Sequence, residues 1–136
     1  MFQFRSVAML ALGALLFSAS CRRKSVDVPD CRNVMCTTVF SSVMVNVVDA
    51  AGEPVVLDEV YTIRTSTGER IAANHMGDGI YAVVDDSYQS QIENLSEGFR
   101  FTGRKNGRIV VDEPYYIKAD CCHVSKVNGK AVVTTY

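Results

Sequence analysis

At 136 residues the chain has room for one domain. Its 14 Lys and Arg nearly balance 15 Asp and Glu, leaving a formal charge of −1, so nothing in the balance points to nucleic acid as a partner. Five cysteines are an awkward number for an oxidising compartment, because one is left over when the rest pair.

The first segment is a leader. Met1 to Arg5 carries one positive charge, Ser6 to Phe17 is an apolar run rich in Ala and Leu, and Ser18-Ala-Ser20 supplies small residues before Cys21. That is the layout of a secretory signal peptide, cleaved after residue 20. The run is short for a membrane span, which needs about 20 apolar residues. Removing residues 1–20 takes away Arg5 and no acid, so the formal charge moves from −1 to −2.

Leu16-Phe-Ser-Ala-Ser-Cys21 resembles a bacterial lipobox, with Ser18 three residues before the cysteine and Leu15, Leu16 and Phe17 further back. The resemblance implies acylation of Cys21, which becomes the first residue of a mature lipoprotein. It also implies a place in the bacterial cell envelope, with the outer membrane as the first expectation. A soluble secreted protein is the alternative. Lipid on Cys21 would settle the cysteine count, since Cys31, Cys36, Cys121 and Cys122 then remain for two disulfides.

Residues 21–30 are polar and contain Pro29, as expected for a tether. Arg22-Arg-Lys24 is a basic cluster beside the anchor, suited to anionic headgroups or simply solvated. The domain is expected to span 31–136. Val39 to Asp49 is rich in β-branched residues with apolar side chains on both faces, as in an inner strand. Asp49 to Pro54 is a turn around Gly52, and Val55 to Ser66 returns as a strand. Thr67-Gly-Glu69 turns again, Ile71 to Asn74 is a short strand, and Met76 to Gly79 is a glycine turn before the strand Ile80 to Val84.

Asp85 to Gly98 is polar and fits a loop, one helical turn or a distorted edge strand. Beyond it, Phe99 to Thr102 pairs with Arg108 to Val111 across Lys105-Asn-Gly107. Val124 to Val127 is expected to pair with Lys130 to Thr135 across Asn128-Gly129. The sum is seven or eight short strands and no long helical pattern: an all-β chain forming a single antiparallel β-sandwich.

Val45-Asn-Val-Val-Asp-Ala-Ala-Gly-Glu-Pro-Val55, with Gly77-Asp-Gly-Ile-Tyr81 after it, resembles the carboxypeptidase regulatory-like group of transthyretin-like sandwiches. Those domains carry a D-x-x-G-x-P-V turn between their first strands and a later D-G-x-Y strand start. The resemblance covers about Val43 to Tyr136 and implies a fold, not an activity.

The candidate sites are few. On a strand, Cys121 and Cys122 would point to opposite faces, so a bond between them is disfavoured. Two pairings stay open: 31–121 with 36–122, or 31–122 with 36–121. A zinc site on these cysteines and His123 is the rival, weakened by the wide Cys-x4-Cys spacing and the oxidising compartment. His75 reads as a surface histidine, and no serine sits in a nucleophile-elbow setting. The adjacent acids Asp58-Glu59, Asp85-Asp86 and Asp112-Glu113 diverge on a strand and read as solvated; calcium at Asp85-Asp86-Ser87 matches no loop pattern.

Tyr115 and Tyr116 alternate, so one faces the core and one faces out. Arg100, Arg104, Lys105 and Arg108 gather around the Asn106-Gly107 tip. Arg104, Lys105, Arg108 and Tyr115 are therefore the expected contacts for a protein partner, against the plainer reading of a solvated tip. The expectation is a non-enzymatic envelope lipoprotein, held to the membrane by lipid, needing no cofactor and binding other envelope proteins. A sugar- or peptide-binding module is the alternative.

Overall fold

The structure, a computed structural model, describes residues 28–136. The signal peptide, Cys21 and the tether as far as Asp27 lie outside the described residues. Nine strands follow in chain order: β1 (Ser42–Val48), β2 (Glu59–Arg64), β3 (Arg70–Ala72), β4 (Asn74–Gly77), β5 (Ile80–Asp85), β6 (Ser96–Lys105), β7 (Arg108–Ala119), β8 (Val124–Asn128) and β9 (Val132–Thr134). They form two packed sheets, ordered β4-β5-β1-β9 and β3-β2-β6-β7-β8. The chain is an all-β sandwich, antiparallel except where β9 lies parallel to β1.

Alternation builds the core. β1 buries Val43, Val45 and Val47, β6 buries Phe99 and Phe101, and β7 buries Val111, Tyr115, Ile117 and Ala119. Tyr81 and Val83 of β5 fill the middle. Thr62 is wholly buried, and its hydroxyl donates to the Val83 carbonyl at 2.7 Å, a polar link between the two sheets. A buried hydroxyl left without such a partner would cost about 1–3 kcal/mol.

β1 is the inner strand expected, between β5 and β9, with Asn46 exposed and Met44 and Val48 half-buried on its outer face. Three expectations change. The strand expected from Val55 begins only at Glu59. Residues 55–58 instead cross from one sheet to the other, and the Tyr81 hydroxyl takes the Leu57 N–H at 2.7 Å on the way. The strand expected over Ile71 to Asn74 is two strands in different sheets, changing over at Ala73.

The third change is the last hairpin. β8 pairs with β7, and β9 pairs with β1, so Asn128-Gly129 joins strands of different sheets. A two-residue hairpin turn of this type needs positive φ at both positions. Asn106 and Gly107 have it, at 52° and 75°; of the other pair only Gly129 does, at 130°. Gly129 lies flat against the Tyr115 ring, where a methyl group would overlap ring atoms. The open segment resolves as a 3-10 turn, Asp86–Gln91, capped by the Asp85 carboxylate on the Ser87 N–H.

Candidate functional site

The residues with the densest side-chain chemistry meet at one end of the sandwich. An arm, residues 28–41, arrives there before β1. It makes one 3-10 turn, Cys31–Asn33, whose Arg32 N–H is capped by Asp30. Asn94 donates to the Pro29 carbonyl at 3.0 Å, and the Ser41 hydroxyl donates to the Val124 carbonyl at 3.1 Å.

Two disulfides fasten the arm to the corner between β7 and β8. They join Cys31 to Cys121 and Cys36 to Cys122, with Cα–Cα distances of 5.2 and 5.3 Å. This selects the first of the two pairings left open by the sequence. The premise of strand alternation does not hold at the corner, because Cys121 and Cys122 sit on a bend. Asp120 makes that bend: its carboxylate accepts the N–H groups of Cys122 and His123, both at 2.8 Å. Both sulfurs can then reach the same arm.

His123 completes the corner. Its Nδ1 lies 2.6 Å from Asp86 Oδ2, and its Nε2 lies 3.1 Å from the Thr37 hydroxyl. With the Nδ1 proton toward Asp86, Nε2 accepts from Thr37. Asp86 also accepts the N–H groups of Ser41 at 2.7 Å and Val124 at 2.8 Å. Burial alone would push the Asp86 pKa up. The bonds from His123, Ser41 and Val124 outweigh burial and hold it below the ordinary carboxylate range. Hydrogen bonds from Cys122 and His123 hold Asp120 below that range as well.

Asp86, His123 and Thr37 follow the order of a nucleophilic triad. Acyl transfer also needs N–H donors aimed at the developing oxyanion. Here the N–H groups of Ser41, Val124, Cys122 and His123 are all taken by Asp86 and Asp120. The arrangement works as a clasp, drawing three separate segments together. A shallow pocket of about 410 Å³ lies over it, lined by Val34, Met35, Thr37, Asn94, Cys121 and His123 among others. With all four thiols in disulfides, no thiolate remains for zinc there. Among the described residues no three His, Cys, Asp or Glu side chains gather to hold a metal.

The residues expected to contact a partner lie at the opposite end, or inside. Lys105 Nζ donates to the Val56 carbonyl at 2.7 Å, Arg104 lies 3.9 Å from Glu59, and Arg108 is exposed beside the tip. Tyr115 is corrected: it is a core residue, not a contact surface. Its ring fills the space beside Gly129, and its hydroxyl donates to the Lys130 carbonyl at 2.7 Å. Burial pushes its hydroxyl pKa up, with the Glu113 charge adding to it. Tyr116 is the exposed member of the pair.

The adjacent acids do diverge into separate contacts. Asp58 takes the Asn106 N–H while Glu59 pairs with Arg70; Asp112 pairs with Arg100 and Glu113 with Lys130. Asp85 is occupied by Ser87 and Asn74. His75 is exposed, with its ring 5.2 Å from that of Tyr81.

Sequence reasoning missed the clasp itself. Asp120 two residues before Cys122 is a legible Asx-turn signal. The link from Asp86 to His123 spans 37 residues and has no local signature. Comparisons of the chain with family models, with curated proteins and with solved structures find no match.

Proposed function

We propose that this chain is a lipoprotein of the bacterial envelope, anchored by an acyl group on Cys21. Its sandwich, of the carboxypeptidase regulatory-like kind, serves as a non-catalytic structural or accessory module that binds other envelope proteins. The observation that carries the reading is the cysteine economy. Both disulfides lie at the end of the domain where the chain arrives from residue 21, and they use every cysteine except Cys21. Paired cysteines suit an oxidising compartment, and a fifth directly after a signal-type leader suits lipid attachment. The closed carboxylate clasp, with its N–H donors committed, supports a binding module over an enzyme.

Mass spectrometry on protein purified from membranes without reduction tests this. The expected result is a Cys21 peptide carrying acyl chains as the first residue. An unmodified Cys21, or a chain retaining residues 1–20, would overturn the anchor. Crosslinking in intact cells tests the second part: discrete envelope-protein adducts are expected, and a monomer without adducts would remove the accessory role.

A further inference from the structure

The disulfide end carries exposed apolar side chains that the core does not use. Met35 is 96% exposed and Phe40 63%, and Val28, Val34, Val39 and Leu95 are also exposed. They belong to one end. The arm residues precede β1, and Leu95 accepts the Ala119 N–H beside the bridged corner. Few free acids compete there. Asp30 is paired with Arg32, Asp120 is turned into the corner, and Glu93 remains exposed.

We propose that this end of the domain rests on the membrane surface, with Met35 and Phe40 dipping into the headgroup region. The proposal rests on the acylation of Cys21 put forward above. Reach excludes the inverted orientation. Seven peptide units separate Cys21 from Val28, and a fully extended chain covers at most about 25 Å over that length. The 12-residue strand β7 runs from the Asn106-Gly107 tip to the bridged corner, and at about 3.3 Å per residue it spans roughly 35–40 Å. An inverted domain, tip on the membrane, would hold Val28 farther away than the tether reaches.

Reach still allows the domain to lie on its side. Met76, Val127, Val132 and Tyr136 are exposed elsewhere on the described surface, but six exposed apolar side chains concentrate at this one end, and that concentration selects the end-on pose. Side chains such as Met and Phe suit the headgroup–acyl boundary, where interfacial elements sink about 5–10 Å. Arg22-Arg-Lys24, between anchor and domain, adds attraction to anionic lipid. The basic tip with Arg104, Lys105 and Arg108 then points away from the bilayer, toward partners.

The chain has no tryptophan, so single tryptophans report cleanly. Met35→Trp, Phe40→Trp and Ile109→Trp are each purified as full acylated protein and reconstituted into phosphatidylethanolamine–phosphatidylglycerol vesicles with brominated acyl chains. All three positions are exposed, so the fold is preserved. Flotation with the vesicles reports the anchor; bromine quenching reports contact. The expected result is flotation of all three, with Met35→Trp and Phe40→Trp losing most of their emission and Ile109→Trp, beside the tip, keeping it. Flotation with equal emission at all three positions overturns the membrane contact and leaves the anchor standing. Loss of flotation overturns both. A concentration-dependent blue shift at position 35 or 40 without quenching assigns the surface to a second copy of the chain and also overturns the proposal.

Discussion

At one end of the sandwich, two covalent bridges and the Asp86 carboxylate hold an arm that pairs with no strand against a bend made by Asp120. At the other, a two-residue turn closes the hairpin of β6 and β7 by backbone geometry, and Asp58, Lys105 and the Arg104–Glu59 contact tie it sideways. The difference lies in what the chain brings to each end. A turn between adjacent antiparallel strands inherits its hydrogen bonds from the ladder. An arm beside a bend inherits none, so each of its contacts must come from a side chain. Covalent chemistry therefore gathers where regular structure is absent, whereas ion pairs such as Arg64–Glu97 and Arg100–Asp112 lie across paired strands.

The largest expected effect comes from breaking the bridges. Cys31–Cys121 spans 90 residues of sequence, and in the chain-entropy model its closure contributes about 4–5 kcal/mol. Cys36–Cys122 spans 86, but with the first bridge present it closes only the short ring through residues 31–36 and 121–122. It should then add about 2–3 kcal/mol. Removing either pair by Cys→Ala therefore costs far less than removing both, in urea unfolding under oxidising conditions. If one pair removed cost as much as two, the staple would be acting through strain or local contacts rather than loop closure.

The two Asn-Gly steps sharpen the same comparison. Gly107 has φ 75° with open space where a Cβ would sit, so Gly107→Ala should cost about 1 kcal/mol from the left-handed backbone alone. Gly129 has φ 130° and the Tyr115 ring against it, so Gly129→Ala must strain the backbone and displace a core tyrosine. About 3 kcal/mol or more is expected. Equal melting-temperature losses in the two variants would contradict this account of the crossover.

These two steps also mark how far the sequence could be read. Alternation at Phe99-Arg-Phe101 in β6 and at Tyr115-Tyr116 in β7 announced the core face, β5 was legible only as a continuous apolar run, and the hairpin at 106–107 followed from adjacent β-rich runs. Asn128-Gly129 offered the same dipeptide between similar runs, yet β9 joined β1. The dipeptide governs local φ; the partner of the next strand depends on which edge is open, and that is known only after β1 and β5 have paired. The cysteines were legible as a staple because four of them sat in two clusters. Their pairing was not, because it depends on a bend made by Asp120 rather than on strand alternation. His123 and Asp86 were visible only as separate polar residues, since their contact spans 37 positions.

Asp86 is the non-covalent counterpart of the staple. Asp86→Ala leaves the N–H groups of Ser41 and Val124 and the His123 ring without their acceptor, and about 2–3 kcal/mol of lost stability is expected. The pH dependence has a definite sign. Asp86 has a folded pKa below its unfolded value, so its contribution is full at neutral pH and lost as pH falls through the folded value. Glu97 behaves alike: bonds from Arg64 and Ser66 hold it down at about 2, against 4.5 when free. Its stabilisation is present above pH 4.5 and disappears toward pH 2. Glu97→Gln should therefore flatten acid unfolding from its onset near pH 4.5 toward pH 2, and Asp86→Asn should flatten only the part below its ordinary value of 3.8. A double variant with the wild-type acid profile would contradict both assignments.

The smallest effect belongs to the open end. Lys105→Ala removes one exposed hydrogen bond, from Nζ to the Val56 carbonyl, and the hairpin keeps its ladder on both sides of the turn. Exposed contacts of this kind are worth less than about 1 kcal/mol. Stability should change by no more than about 0.5 kcal/mol, within the ordinary range for surface substitutions. The same substitution should weaken crosslinking to envelope partners if the tip faces them, because Lys105 then contributes charge to the contact while contributing little to the fold. A large loss of stability would instead mean that the crossing segment 55–58 depends on this lysine. The tip would then be a structural tie, like the clasp at the other end.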